Sequence, residues 1–452
     1  MTITDLKNLL DTKRQVFLTG AGGTGKSYTL NNLLPRYENP IKLATTNASA
    51  VLIGGDTVHS AFKLGTANCI PELQAEDNRY YAWFCENVND DIQIAQKSRL
   101  KPIKEIFKNA DLIVIDEISM LSASTFDLLF IRLEQCNITI PPLLMLGDLY
   151  QIPPVEVKDA VQPQKMIYHS SYFKPQIIEL TEIKRTENLE FAKAQKSIRK
   201  GKYTEAVHNT LAIIQDNIFD KSFEPTILVS NNAQADKLNK QRLDSLKTPE
   251  HTFEAEIKTQ INPKQVDSIL RYMPPIKTLN LKIGARVMFI TNDKEAGYYN
   301  GLQGNVKEFI VDEFSNDIIG VEVLADNNNL ISVGRVAFDK KKLKTDSNGN
   351  VTYEVELTMK QIPLKVCYAM TIHKSQGASI KQLEIDCSRI FTAGQFYVAI
   401  SRAIDPNLIR LRNFKPDYIR IKNEDLIAYM EAIKESIIQT PSINDDSIKV
   451  DI

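Results

Sequence analysis

The run Gly20-Ala-Gly-Gly-Thr-Gly-Lys26-Ser27, set directly behind the apolar stretch Val16-Phe-Leu-Thr19, constrains the fold of this chain more than any other feature. The spacing G-x-x-x-x-G-K-S between a strand and a helix turns successive backbone N–H groups toward one point, and the helix adds its positive end. Lys26 then reaches the β- and γ-phosphates of a nucleoside triphosphate, and the Ser27 hydroxyl can ligate Mg²⁺. Gly20, Ala21, Gly22, Gly23, Thr24, Gly25, Lys26 and Ser27 are therefore the expected phosphate cradle.

A second half of such a site should be a buried strand ending in carboxylates, and Asp111-Leu-Ile-Val-Ile-Asp116-Glu117 has that form. Consecutive β-branched and leucine residues read as a strand covered on both faces, which brings Asp116 and Glu117 to the C-terminal sheet edge where ligands bind. Asp116 is the expected partner of the metal shell. Glu117 is the expected base that orients and deprotonates water, so the implied chemistry is hydrolysis. A further buried strand, Leu143-Leu-Met-Leu-Gly147-Asp148, leads to Gln151, placed to sense the γ-phosphate.

Many phosphate-loop proteins share these pieces, so the downstream segments decide the family. Leu180-Thr-Glu-Ile-Lys184-Arg185, Cys367-Tyr-Ala-Met-Thr-Ile-His373-Lys374-Ser375-Gln376-Gly377 and Gln395-Phe-Tyr397-Val-Ala-Ile-Ser401-Arg402-Ala403 complete a set that resembles superfamily 1 helicases of group B. Within that group the wording is similar to the PIF (petite integration frequency) family, with RecD-like and Dda-like helicases as near relatives. Gly54-Gly-Asp-Thr57-Val-His59-Ser60, Ile227-Leu-Val-Ser-Asn231 and Leu281-Lys-Ile-Gly284 resemble further family segments, so the likeness covers nearly the whole chain.

The resemblance implies an ATP-dependent 5′-to-3′ DNA helicase that uses ATP and Mg²⁺, acts on single-stranded, forked or structured DNA, and works as a monomer. It makes Lys26, Asp116, Glu117, Gln151, Arg185 and Arg402 the catalytic set, with both arginines coming from a second lobe. It adds Tyr28 and Gly377 to the nucleotide contacts. Thr57, His59, Ser60 and Phe62 from the first lobe, and His373, Lys374 and Ser375 from the second, are where relatives touch the DNA strand. Three other readings share these motifs: a translocase that does not unwind, a RecD-type recombination subunit, and a binding module with a vestigial ATPase. One departure stands out. Relatives carry a glutamine well upstream of the phosphate loop to read adenine, whereas the only glutamine before Gly20 here is Gln15, abutting the strand itself.

The expected fold class is α/β: two RecA-like lobes with parallel sheets, a helical insert in the first and a β-rich, SH3-like insert in the second. The expected boundaries are 1–182 for lobe one, with 62–110 as its insert; 183–248 and 364–425 for lobe two; 249–363 for the β-rich insert; and 426–452 for a C-terminal helix and tail. Strands are expected at Gln15–Thr19, Ile41–Thr45, Leu112–Ile115 and Leu143–Leu146, with Ile227–Val229 and Lys365–Met370 central in lobe two. Asn300-Gly301 and Asn348-Gly349 signal hairpin turns. Trp83 reads either as part of a duplex-parting wedge, as in relatives, or as a core residue of a small subdomain. Lys340-Lys-Lys-Leu-Lys344 reads as a DNA-facing edge or a solvated hairpin. His59 and His373 have an alternative reading as satisfied, half-buried histidines.

At 452 residues and 43% hydrophobic the chain can build several cores, and its net charge of −1 means that basic character for a polyanion must be local. Five cysteines without C-x-x-C spacing argue against zinc fingers or a disulfide framework and fit a reducing interior. No run of eighteen apolar residues and no basic-then-apolar start is present, so a cytoplasmic location, at the nucleoid if bacterial, is expected. The polar segment from Gln439 onward reads as a frayed tail.

Overall fold

The computed structural model describes residues 1–154, 163–219, 224–259, 261–270, 273–293, 295–345 and 351–445. In the first lobe, alternation along each strand fills two separate cores. Along β1 (Gln15–Gly20), Phe17 faces one core while Val16 and Leu18 face the other. The same split recurs in β4 (Leu112–Asp116), with Ile113 and Ile115 against Leu112 and Val114, and in β5 (Leu143–Gly147), with Leu143 and Met145 against Leu144 and Leu146. Apolar residues on both faces are what a parallel sheet needs when helices cover it on both sides.

With β2 (Pro40–Ala44), β3 (Asp56–Thr57) and β6 (Gln176–Leu180), these strands form a seven-stranded parallel sheet. Its seventh strand is Ile438–Thr440, paired parallel to β6 at the outer edge. The frayed-tail expectation is thereby corrected as far as residue 445. Ile443 is buried against Ile3 and Leu6 in the first-lobe core, and Ile3 N–H donates to Asn444 O at 3.0 Å. The insert of this lobe is the helical pair Ile70–Asn87 and Ile92–Phe107. Trp83 there is 53% exposed, so it is not a core residue.

The second lobe has a four-stranded sheet in the order Ala369–Thr371, β7 (Thr226–Val229), Leu383–Asp386, Ile409–Arg412. The single central strand expected at Lys365–Met370 is two strands. Leu364–Val366 pairs with Arg286–Phe289 in a five-stranded antiparallel sheet, and Ala369–Thr371 is an edge strand beside β7. The chain changes sheets at Cys367, whose N–H donates to Arg286 O.

Three antiparallel sheets of five, three and two strands make up the β-rich region. Asn300-Gly301 lies in the loop that brings Arg286–Phe289 to Gln303–Val311, and Gly301 adopts φ +96° there. Asn348-Gly349 lies outside the described residues, between the paired strands Val336–Thr345 and Val351–Gln361. Lys340 is neither a free edge nor a solvated residue. It is 5% exposed, with its ammonium on Asp56 of the first lobe.

Candidate nucleotide site and strand-contact segments

The loop after β1 is shaped by what packs on it. Gly23 adopts φ +84°, and a Cβ there would lie 2.5 Å from Arg185 Cβ, so no other residue fits. Lys184 N–H donates to Gly23 O at 2.8 Å, and Thr24 Oγ1 donates to Ala21 O at 2.9 Å. Helix α2 (Lys26–Leu33) starts behind Gly25 with no side-chain cap, which leaves its first amides open to an anion. Lys26 Nζ is folded onto loop carbonyls, 2.7 Å from Gly20 O and 3.2 Å from Ala21 O, and burial lowers its pKa. Ser27 and Tyr28 are exposed on the first turn of this helix.

At the end of β4, Asp116 Oδ1 accepts Glu117 N–H at 2.8 Å. Glu117 has φ +52°, a left-handed conformation rare for a non-glycine residue and held here by Thr45 Oγ1 donating to Glu117 O. Burial, with the Asp116 carboxylate alongside, pushes Glu117 up to about 7, near where a general base is most effective. Gln151, 6% exposed, accepts from Gln376 Nε2 across the cleft at 3.0 Å.

Arg185 and Arg402 converge over Gly22. A Cβ on that glycine would lie 2.9 Å from Arg402 Nη2 and 3.1 Å from Arg185 Nη1. Arg185 donates to Ser379 Oγ and Ser401 O; Arg402 donates to Val398 O, Ser375 O and Ser401 Oγ. These acceptors are all neutral. Burial and the like charge of Arg402 lower the pKa of Arg185, and burial lowers that of Arg402. The buried Arg402 guanidinium, the half-buried Arg185 beside it, and Lys26 at the head of a helix with open amides are a donor set that fits a polyphosphate. Arg185 corrects one expectation. Its backbone follows β6 of the first lobe and lies on Gly23, so it sits at the junction and reaches into the second lobe only with its side chain.

The segments expected at the strand separate into two groups. Thr57 caps the short helix Val58–Ala61, accepting Ser60 N–H, while Ser60 Oγ donates to Asp56 Oδ2 at 2.9 Å. His59 and His373 are half-buried, and desolvation lowers the pKa of both. Lys374 is exposed, and Gly377 borders open space. Phe62 and Ser375 do not present side chains to a ligand. Phe62 is 1% exposed with its ring 4.5 Å from that of Phe107, and Ser375 Oγ is turned inward onto Ile372 O. Gln15 is at the far end of β1 from the loop, accepting Lys174 N–H, so it does not meet a nucleotide held there.

Sequence reasoning missed a buried ion-pair network behind the loop. Arg199 Nη2 is 2.9 Å from Asp148 Oδ1, and Arg199 Nη1 is 2.5 Å from Glu179 Oε1. The available signal was Asp148 itself, an acid closing an apolar strand with no role attached.

The sheet, the loop and the two arginines define a phosphate-loop ATPase built of two RecA-like lobes. The PIF1-like helicase model matches residues 6–217. ATP-dependent DNA helicase Pif1 of Campylobacter jejuni is 33% identical over 416 residues, covering 88% of this chain and 89% of that protein. The crystal structure of Bacteroides sp Pif1 in complex with ADP-AlF4 matches with TM-score 0.78 at 26% identity, covering 96% of each chain. For Bacteroides Pif1 bound to ssDNA the TM-score is 0.58 over the same shares, at 26% identity. The chain belongs to the PIF1-like helicase family.

Proposed function

We propose that this protein is an ATP-driven DNA helicase that moves 5′ to 3′ along single-stranded DNA and opens forked or structured duplexes, acting as a monomer. The observation that carries this reading is the placement of Arg402 and Arg185 directly over Gly22. The first guanidinium reaches the phosphate loop from the second lobe, so its effect on the γ-phosphoryl depends on how the lobes are spaced.

In this mechanism Lys26 leaves its loop carbonyls for the β- and γ-phosphates, and the open amides of α2 bind the same oxygens. Glu117 takes a proton from the attacking water, a task suited to a carboxylate raised to about 7. Arg402 and Arg185 stabilise charge on the transferring group, and Gln151 orients the water while reporting to the second lobe through Gln376. Ser27 and Asp116 are the residues that would hold Mg²⁺, a hard cation suited to their oxygens, which would there neutralise charge developing on the phosphates. Among the described residues no group of three His, Cys, Asp or Glu side chains forms a metal cage, and no helix is long and apolar enough to cross a membrane.

Residues 1–182, with the junction through Arg185, act as the first lobe and 186–248 with 367–425 as the second, alternately gripping the strand through Thr57, His59 and Ser60 on one side and His373 and Lys374 on the other. In this reading the helical insert parts the duplex, and the exposure of Trp83 on it supports that role. Separating a base-pair step costs only about 1.4 kcal/mol of stacking on average, so short advances suffice. The test is unwinding of tailed duplexes with ATP and Mg²⁺. A 5′-tailed duplex should open while 3′-tailed and blunt ones stay closed. Preferential opening of the 3′-tailed substrate overturns the direction, and ATP-dependent walking without opening favours the translocase.

A further inference from the structure

Between the phosphate loop and the second lobe lies a buried hydroxyl that the mechanism above leaves without a task. Tyr397, 2% exposed, stands on the helix Gln395–Ile400, just ahead of Arg402. Its Oη accepts Gly22 N–H at 3.1 Å and donates to Asp148 Oδ2 at 2.9 Å. Asp148, 0% exposed, is held from the other side by Arg199. One phenol therefore ties a second-lobe helix to the tip of the phosphate loop and to an acid fixed by a guanidinium. Burial and the Asp148 carboxylate raise the phenol's pKa, so it stays protonated and keeps its proton on Asp148.

Packing alone does not call for this hydroxyl. A phenylalanine ring would fill the same volume, and the hydrogen bonds of Arg402 run to Val398 O, Ser375 O and Ser401 Oγ without passing through it. What the hydroxyl adds is a fixed distance between Gly22 and the helix that leads into Arg402. Gly22 is the residue against which the Arg402 guanidinium rests, so that distance sets where the guanidinium meets the transferring group. A misplacement of about 1 Å in such an arrangement can cost on the order of a hundredfold in rate.

We propose that Tyr397 is a positioning residue for γ-phosphoryl transfer: its hydroxyl, bridging Gly22 N–H and the Asp148 carboxylate, registers the phosphate loop against Arg402 when the cleft is closed. The proposal rests on the assignment of ATP hydrolysis to this cleft. Removing the hydroxyl lowers turnover and leaves nucleotide affinity nearly intact, because Lys26 and the α2 amides that bind the β-phosphate are untouched.

The experiment compares Tyr397→Phe with the parent protein in DNA-stimulated ATP hydrolysis, fluorescent-ADP binding and thermal unfolding. Expected is a fall in kcat of roughly tenfold to a hundredfold, with KM and nucleotide Kd within about threefold. An unchanged kcat overturns the proposal, and so does a matched loss of affinity and turnover, which is the signature of a structural role. Tyr397→Met also removes the hydroxyl while keeping an apolar side chain in the same packing. It should show the same kcat-selective loss, and it decides the matter by the same criteria if Tyr397→Phe does not fold. Lys26→Ala is run alongside. If the parent turns over no more ATP than this variant, the functional reading of the cleft has failed, and the role of Tyr397 falls with it; an active parent with an unaffected Tyr397→Phe fails the positioning role alone.

Discussion

Lys340 Nζ lies 2.6 Å from Asp56 Oδ1, in a pair whose side chains are 6% and 1% exposed. The lysine belongs to the β-rich region. The aspartate immediately precedes Thr57-Val-His59-Ser60 and also accepts Thr57 N–H and the Ser60 hydroxyl. The β-rich region is thus docked on the segment proposed to hold DNA. If the strand must displace that docking, the competent fraction limits apparent affinity. Lys340→Met should therefore tighten single-strand binding several-fold in a fluorescence titration. Weaker binding with a salt slope reduced by about 1 would instead make Lys340 a phosphate contact.

Gly22 has an ordinary backbone conformation, so alanine is sterically excluded only by what lies above it. The nearest atoms are Arg402 Nη2 and Arg185 Nη1, the mobile ends of long side chains. Gly22→Ala should leave the loop folded and push both guanidinium groups aside. Nucleotide binding should survive while DNA-stimulated hydrolysis falls by about a hundredfold. Loss of nucleotide binding would show the loop, not the arginines, to have yielded.

Lys26→Ala and Arg402→Ala should fail in different ways. The first removes the cation that binds phosphate and should abolish hydrolysis while sparing apo-state strand binding. The second should bind nucleotide almost normally and lose on the order of a thousandfold in turnover, as arginine fingers do. Equilibrium binding of labelled ATP beside steady-state rates separates them, and a parallel loss in Arg402→Ala would make that residue a strut of the lobe interface.

Burial holds the imidazoles of His59 and His373 below their ordinary value near 6.5. Below that value the unfolded chain binds protons that the folded chain resists, so their contribution is complete above about pH 6.5 and is lost as pH falls. The double variant His59→Asn and His373→Asn should show a smaller drop in Tm between pH 7.5 and 5.5 than the parent. An equal drop would place the acid sensitivity elsewhere.

What could be read from the chain before its structure follows a physical line. The phosphate loop and β4 were readable because fixed spacing and unbroken apolar runs are local signals. Ile438–Thr440 was not, because Gln439-Thr-Pro resembles a turn and its strand pairing depends wholly on β6, about 260 residues away in sequence. Phe62 and Ser375 sit inside strand-contact motifs yet point into the packing, a matter of helix phase that spacing alone leaves open. Lys340 read as part of a DNA-facing edge or a solvated hairpin because its partner, Asp56, is distant in sequence. Tyr397 and Asp148 were visible as letters, but their shared hydrogen bond joins residues about 250 positions apart on different lobes.

The strand Ile438–Thr440 has a mechanical consequence. The chain leaves the first lobe beside Thr181, whose N–H is bonded to Thr440 O at 2.9 Å. It returns between Ile419, buried in the second core, and Leu426, buried in the first. The second lobe is therefore tied to the first by two separate lengths of chain, and pairing of Ile438–Thr440 with β6 anchors the far end of the second crossing in the first-lobe sheet. Any displacement of one lobe against the other has to be taken up in both crossings together.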